Sequence, residues 1–170
     1  NLKSKIDLNN IDYRNKLLNI KKYFSNFKEL IKLQNHKILV NYKKNKLDIS
    51  GEGQLIIEDK IDKLNYKIIK KDDIYNFNTN ININKNPLLI DILNYKKKEN
   101  LNSLLKLNGI YKSNNEIKFN SISLNENDNS FLVKNLSLND KLKILNIDLL
   151  DLNYINNDKI QNRINLKRNK

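Results

Sequence analysis

Few residues in this 170-residue chain have types and spacings suited to chemistry. The single His36 stands between Asn35 and Lys37 and reads as an exposed side chain without a task. With no Cys there is no thiolate nucleophile, no ordinary zinc cluster and no disulfide framework, and the redox compartment stays open. The Ser residues lack the G-x-S-x-G setting of a nucleophile elbow. The adjacent acids Glu58-Asp59 and Asp72-Asp73 read as solvated turns, because a paired-carboxylate site would need partners from distant segments. Gly51 and Gly53, in "LDISGEGQLII", form a lone G-x-G followed by another strand, where a dinucleotide site needs a third Gly and a helix. The pair is expected to permit a bulge or close packing of a helix on a sheet, and Gly109 in "LKLNGIY" invites the same explanation. Asn135-Leu136-Ser137 matches a glycosylation sequon, which this Asn content produces by chance. Together these features point away from an enzyme, and no catalytic residue, cofactor or metal is expected.

Cations are the other chemical resource, since the formal net charge is +13. Asn (35), Lys (29), Leu (27) and Ile (24) make up 115 residues while Ala, Cys, Met and Trp are missing, the bias of an AT-rich genome, so much of the Lys excess reflects base composition. Lys is spread among acids, as in Lys70, Lys71, Asp72, Asp73, and the longest basic run is Lys96, Lys97, Lys98. A basic surface favours anionic partners, whether nucleic acid, acidic polysaccharide or lipid head groups. Against nucleic acid stands the presence of three Arg, two of them in the last eight residues, although Tyr42, Tyr95 and Tyr111 do lie near Lys.

The elements that would position these residues fall into two parts. From Tyr13 to Leu33 apolar residues at Tyr13, Leu17, Ile20, Phe24, Phe27 and Ile31 recur at steps of three and four, which predicts an amphipathic helix with Asp12 as its cap. Lys16, Lys21, Lys22, Lys28 and Lys32 would mark its polar face, and residues 1–36 read as a helical segment. From Lys37 the period changes to two, and residues 37–170 read as an antiparallel β-sheet. Strands are predicted at 37–42, 47–58, 62–70, 74–84, 88–95, 104–111, 116–124, 131–138, 141–154 and 159–167. The segment from Leu88 to Tyr95 is equally open to a helical turn. Connections such as Asp72-Asp73 and Asn139-Asp140 are too short for crossover helices, so neighbours should pair antiparallel.

The alternation slips at regular places. Ile117, Phe119, Ile122 and Leu124 have gaps of two, three and two, and Phe131, Val133, Leu136 and Leu138 repeat them fourteen residues on. Leu145, Ile147, Leu150 and Leu152 restate them once more. The spacing is a palindrome, so a strand that doubles back matches apolar to apolar across every pair. The three-residue gap is either a bulge, which returns all four residues to one face, or a switch of face in a strongly twisted sheet. Either arrangement extends a groove-like or solenoid-like sheet more readily than a compact barrel.

From Gly51 onward the chain resembles the AsmA-like envelope proteins, in the YhdP-like branch related to TamB. The resemblance lies in "GEGQLIIEDKIDKLNYKIIK", "YNFNTNININKNPLLIDILNYKKKEN", "LLKLNGIYKSNNEIKFNSISLNENDNSFLVKNLSL" and "LKILNIDLLDLNYINNDKIQNRINL". It covers about 120 residues and rests on strand pattern, with Asn162 in the closing strand. It implies a long sheet rolled into an open groove, anchored in the inner membrane, crossing the periplasm and supporting delivery of phospholipid to the outer membrane. Since the chain begins at Asn1 and contains no Met, it is expected to be an internal or C-terminal piece of such a protein, its membrane contact made by the parent chain.

The fold expected is therefore mainly β: an extended, curved antiparallel sheet with one N-terminal amphipathic helix. The function expected is non-enzymatic binding or conduction of phospholipid or another acyl-chain lipid. Ile117, Phe119, Ile122, Leu124, Phe131, Val133, Leu136 and Leu138 are expected to line the groove. The rival reading is a non-enzymatic basic scaffold or interaction module, with nucleic acid as one partner, in which the apolar face is closed core.

Overall fold

The computed structural model describes residues 1–14, 20–24, 26–112 and 116–169. Thirteen strands are present among them: β1 Leu2–Arg14, β2 Leu30–Lys43, β3 Lys46–Ile57, β4 Lys60–Lys71, β5 Ile74–Asn82, β6 Leu88–Ile90, β7 Tyr95–Lys97, β8 Ser103–Lys112, β9 Glu116–Glu126, β10 Asn129–Leu138, β11 Ile144–Asn146, β12 Leu149–Ile155 and β13 Gln161–Lys167. Eleven of these form one open antiparallel sheet in the order β1-β2-β3-β4-β5-β8-β9-β10-β12-β13, with β11 attached to β10. The order follows the chain because the links are tight. Lys44 and Asn45, and likewise Glu58 and Asp59, have positive φ at both positions, the two-residue loop whose twist matches that of the strands it joins.

No α-helix occurs among the described residues, which overturns the predicted helix from Tyr13 to Leu33. Tyr13 lies in β1, Ile20–Lys22 form a 3-10 turn, Phe24 and Phe27 are buried, and Ile31 and Leu33 belong to β2. Leu17 falls outside the described residues. The boundary expected at residue 36 lies within β2. Helical spacing alone could not prevail here: Ile, Asn and Tyr are mediocre helix formers, there is no Ala, and an isolated helix of this length is marginal in water. Pairing β1 with β2 instead satisfies the backbone in register from Leu2↔Tyr42 to Arg14↔Leu30.

The slip is a bulge. β8 pairs with β5 in unbroken alternation, yet along β9 the partners step from Asn108↔Ser121 to Gly109↔Phe119, leaving Asn120 as the extra residue. Leu105, Leu107, Gly109 and Tyr111, spaced by two, thus meet Leu124, Ile122, Phe119 and Ile117, spaced two-three-two. The palindrome operates as expected between β9 and β10, in Leu124↔Phe131, Ile122↔Val133, Phe119↔Leu136 and Ile117↔Leu138. The third copy follows only in part. Leu150 and Leu152 pair with Val133 and Phe131, while Leu145 is exposed in β11.

The same device recurs at the N-terminus, where Ile6, Leu8, Ile11 and Tyr13 pair with Ile38, His36, Leu33 and Ile31. Both sets have two-three-two spacing. Against β3 the partners step from Gln34↔Gln54 to Lys37↔Glu52, so Asn35 and His36 together oppose Gly53. The ladder omits Asn9 with Asn35 in one strand pair and Asn120 with Asn135 in the other. Asn35 and Asn135 have φ of 53° and 52°, a left-handed conformation that Asn tolerates better than most residues. Helical period and slipped strand period coincide over a short window, and that coincidence hid these strands.

Candidate functional site

Because every bulge restores the alternation, one side of the sheet is apolar from edge to edge. Three cross-strand rows define it. The first runs Ile49, Ile68, Phe77, Gly109, Phe119, Leu136, and the second Gly51, Tyr66, Thr79, Leu107, Ile122, Val133, Leu150. The third runs Gly53, Leu64, Ile81, Leu105, Leu124, Phe131, Leu152.

The third row is covered. The hairpin of β6, a 3-10 turn at Asp91–Leu93 and β7 lies over it, and Tyr95 packs with Leu124, Phe131, Leu152 and Tyr154 in a buried cluster flanked by Leu88, Ile90 and Leu93. The rings of Tyr95 and Phe131 are 4.7 Å apart, and those of Phe131 and Tyr154 5.3 Å. Nearer β1, Phe24 and Phe27 cover Leu55 and Ile57. This segment is tied down by the Glu58-Asp59 turn, since the Asn26 N–H donates to Glu58 Oε1 (2.6 Å) and Lys28 Nζ to Asp59 Oδ2 (3.0 Å). The Lys28 ammonium holds the Asp59 carboxyl below its ordinary pKa. The segment 88–95, open to either structure from its sequence, contains both strand and turn.

A buried polar network fixes the hairpin. Asp62 accepts the backbone N–H groups of Asn84, Lys85 and Asn86 at 2.8, 2.8 and 3.2 Å, and the Asn86 amide at 2.7 Å. Lys97, fully buried, donates to the carbonyls of Asn84, Asn86 and Lys98. Burial lowers the Lys97 pKa, opposed by the negative charges of Glu126 and Asp62. Glu126 accepts Tyr95 O–H at 2.6 Å and Ser103 Oγ–H at 3.2 Å, and burial with this carboxylate raises the Tyr95 pKa. The tip of the hairpin reaches the β12–β13 turn through Asn157 N–H to the Asn94 carbonyl, 2.9 Å.

Among the described residues the first and second rows have no such cover, apart from Leu150, which packs against the Tyr95 cluster. Of the eight residues expected to line a groove, Leu124 and Phe131 are core under Tyr95. Ile117, Phe119, Ile122, Val133, Leu136 and Leu138 share the same face, are half-buried, and belong to neither buried cluster. Ile49, Ile68, Phe77 and Leu107, which carry the band towards β3, were not among the residues expected to line the groove, though the alternation Tyr75, Phe77, Thr79, Ile81 announces Phe77.

His36 is buried, contrary to its expected exposure. Its Nε2 lies 3.0 Å from the Gln54 carbonyl, its Nδ1 is buried without a hydrogen-bond partner, and its ring lies 5.9 Å from that of Tyr66. The glycines make room for this packing. A Cβ at Gly53 would overlap the His36 ring, one at Gly51 the Tyr66 ring, and one at Gly109 the Lys118 carbonyl opposite the bulge. They serve rings and a bulge rather than a helix. On the polar side a shallow depression of about 410 Å³ lies among Lys5, Asp7, Lys37, Ser50 and Glu52. Among the described residues no His/Cys/Asp/Glu group is arranged to hold a metal ion, and no helix is long and apolar enough to cross a membrane.

Fold and site together define an open antiparallel meander with one apolar side, half covered by its own hairpin and half bare. No family model, curated protein or solved structure matches the chain.

Proposed function

We propose that the bare half of the apolar face binds acyl chains of lipid, as a non-enzymatic segment of an AsmA-like protein of the bacterial periplasm anchored through its parent chain. The observation that carries the proposal is the contrast between adjacent rows. The row containing Leu124 and Phe131 is sealed under Tyr95, whereas the rows containing Phe119 and Val133 continue the same surface uncovered. A contiguous, half-exposed apolar face is the kind of surface that marks a binding site. Each lipid CH₂ that leaves water contributes about 0.8 kcal/mol, so a few methylenes on Ile68, Phe77 and Phe119 suffice for useful affinity. No residue has to react; the face needs only a dry row of similar side chains.

The test is lipid extraction and mass spectrometry on the purified chain after exposure to liposomes, beside a variant carrying Phe119→Asp and Val133→Asp. Phospholipid retained by the wild type and lost from a variant with unchanged β circular dichroism supports the reading. A folded wild type that retains none overturns it in favour of a lipid-free scaffold.

A further inference from the structure

The bare face has a polar end. Beyond the first row lies a fourth, in which Leu47, Lys70, Tyr75, Tyr111 and Ile117 are successive ladder partners. Lys70 is the one cation at an inward-facing ladder position of the bare rows among the described residues. Its Nζ stands 5.5 Å from the centroid of the Tyr75 ring, and that ring lies 5.8 Å from Tyr111. Among the described residues no carboxylate pairs with Lys70, whereas the outward-facing Lys67 pairs with Asp48 at 3.5 Å and Lys112 with Glu116 at 3.8 Å. Lys46 and Lys71 face each other across β3 and β4 at the same end and add positive potential there. A cation and two phenols at the margin of an aliphatic surface reproduce the amphipathic boundary at which Tyr and Lys meet head groups. The opposite end of the face is closed by the hairpin, so a chain lying along the strands can place its head only at the Lys70 end. From Tyr75 to Thr79, the last bare row before the hairpin, the strand spans about 13 Å, most of the roughly 15 Å of one leaflet's hydrocarbon.

We infer that the ligand of this face is a phospholipid of net negative charge, its head group at Lys70 and Tyr75 and its chains on Ile68, Phe77 and Phe119. The inference rests on the lipid-binding reading above. Its test is the composition of lipid taken up from phosphatidylcholine vesicles doped with phosphatidylglycerol, by the wild type, Lys70→Gln and Lys67→Gln. The expected result is phosphatidylglycerol enriched about fivefold over the vesicles in the wild type and in Lys67→Gln, the ratio a single half-exposed charge-assisted contact provides. Lys70→Gln is expected to carry as much lipid at the vesicle ratio. Lipid bound without enrichment, or enrichment lost equally in Lys67→Gln, overturns the head-group assignment and leaves the lipid-binding reading standing. A wild type that binds no lipid removes both.

Discussion

Asp62 and Lys97 hold the same short loop by opposite backbone groups: Asp62 takes the N–H groups of Asn84, Lys85 and Asn86, and Lys97 gives to the carbonyls of Asn84 and Asn86. The clasp decides how far the hairpin covers the apolar face, and hence where the bare half begins. Replacing Asp62 with Ala leaves three N–H groups, that of Asn86 buried, without their acceptor and removes a negative charge that favours the Lys97 ammonium. The expected loss is about 3 kcal/mol, read from urea unfolding, with amide exchange fastest at residues 84–86. Unchanged protection at those amides would show that the clasp is not what holds the hairpin.

The buried ammonium also sets a pH dependence. Burial depresses the folded-state pKa of Lys97 below its unfolded value, so between the two values the unfolded chain binds more protons and stability rises with pH. Tyr95 works in the opposite sense. Its folded-state pKa is raised, so stability falls as pH climbs past the ordinary phenol range near 10. Urea midpoints should therefore climb as pH rises towards the ordinary lysine range near 10 and turn over above it. In Lys97→Met the climb should vanish, on top of a lower stability from three carbonyls left unpaired.

The three glycines should rank by what lies above them. Gly109→Ala meets the backbone carbonyl of Lys118, which belongs to the bulged strand and yields least. Gly53→Ala meets the buried His36 ring, and Gly51→Ala only the tip of the half-buried Tyr66 ring. Overpacking costs on the order of 1–3 kcal/mol for the first two and less for the third, measured as shifts in urea midpoint at constant m-value. A largest effect at Gly51 would contradict this packing.

In each slipped strand pair one Asn takes positive φ, Asn35 in β2 and Asn135 in β10. Asn135 also donates through its amide to Asp148 at 2.9 Å, and Asn146 joins the same carboxylate, holding its pKa below the ordinary range. Asn35→Val and Asn135→Val should each destabilise by about 1–2 kcal/mol, the left-handed penalty for a residue with a branched Cβ. Asn35→Gly is expected to be close to neutral in thermal unfolding, since Gly accepts the same φ without strain.

Much of the sheet was legible in the sequence. The strands from Leu47 to Leu138 alternate with period two and are separated by turn formers, so ladder partners follow from short loops except where the 88–97 hairpin leaves the sheet and β5 pairs with β8, and the palindromic spacing announced which residues of β9 and β10 would meet. The N-terminal segment was misread because Tyr13, Phe24, Phe27 and Ile31 satisfy a helical period while serving three different elements. The slip repeated at Ile31, Leu33, His36 and Ile38 was the available signal, masked by a His standing in an apolar position.

The eight residues proposed for a groove share one face, but their spacing was equally compatible with a switch of face at the slip, and only the bulge at Asn120 returns them to the same side. Local spacing announced where the slip falls and which residues pair, but not how the slip resolves. Whether each of them is covered depends on contacts between segments far apart in the chain. Asp62 reaches residues 84–86, Tyr95 reaches Glu126, and Tyr23 meets Leu89 through its carbonyl. Full burial of Leu124 and partial burial of Phe119, on one strand with the same apolar character, could be decided only by the tertiary position of the hairpin.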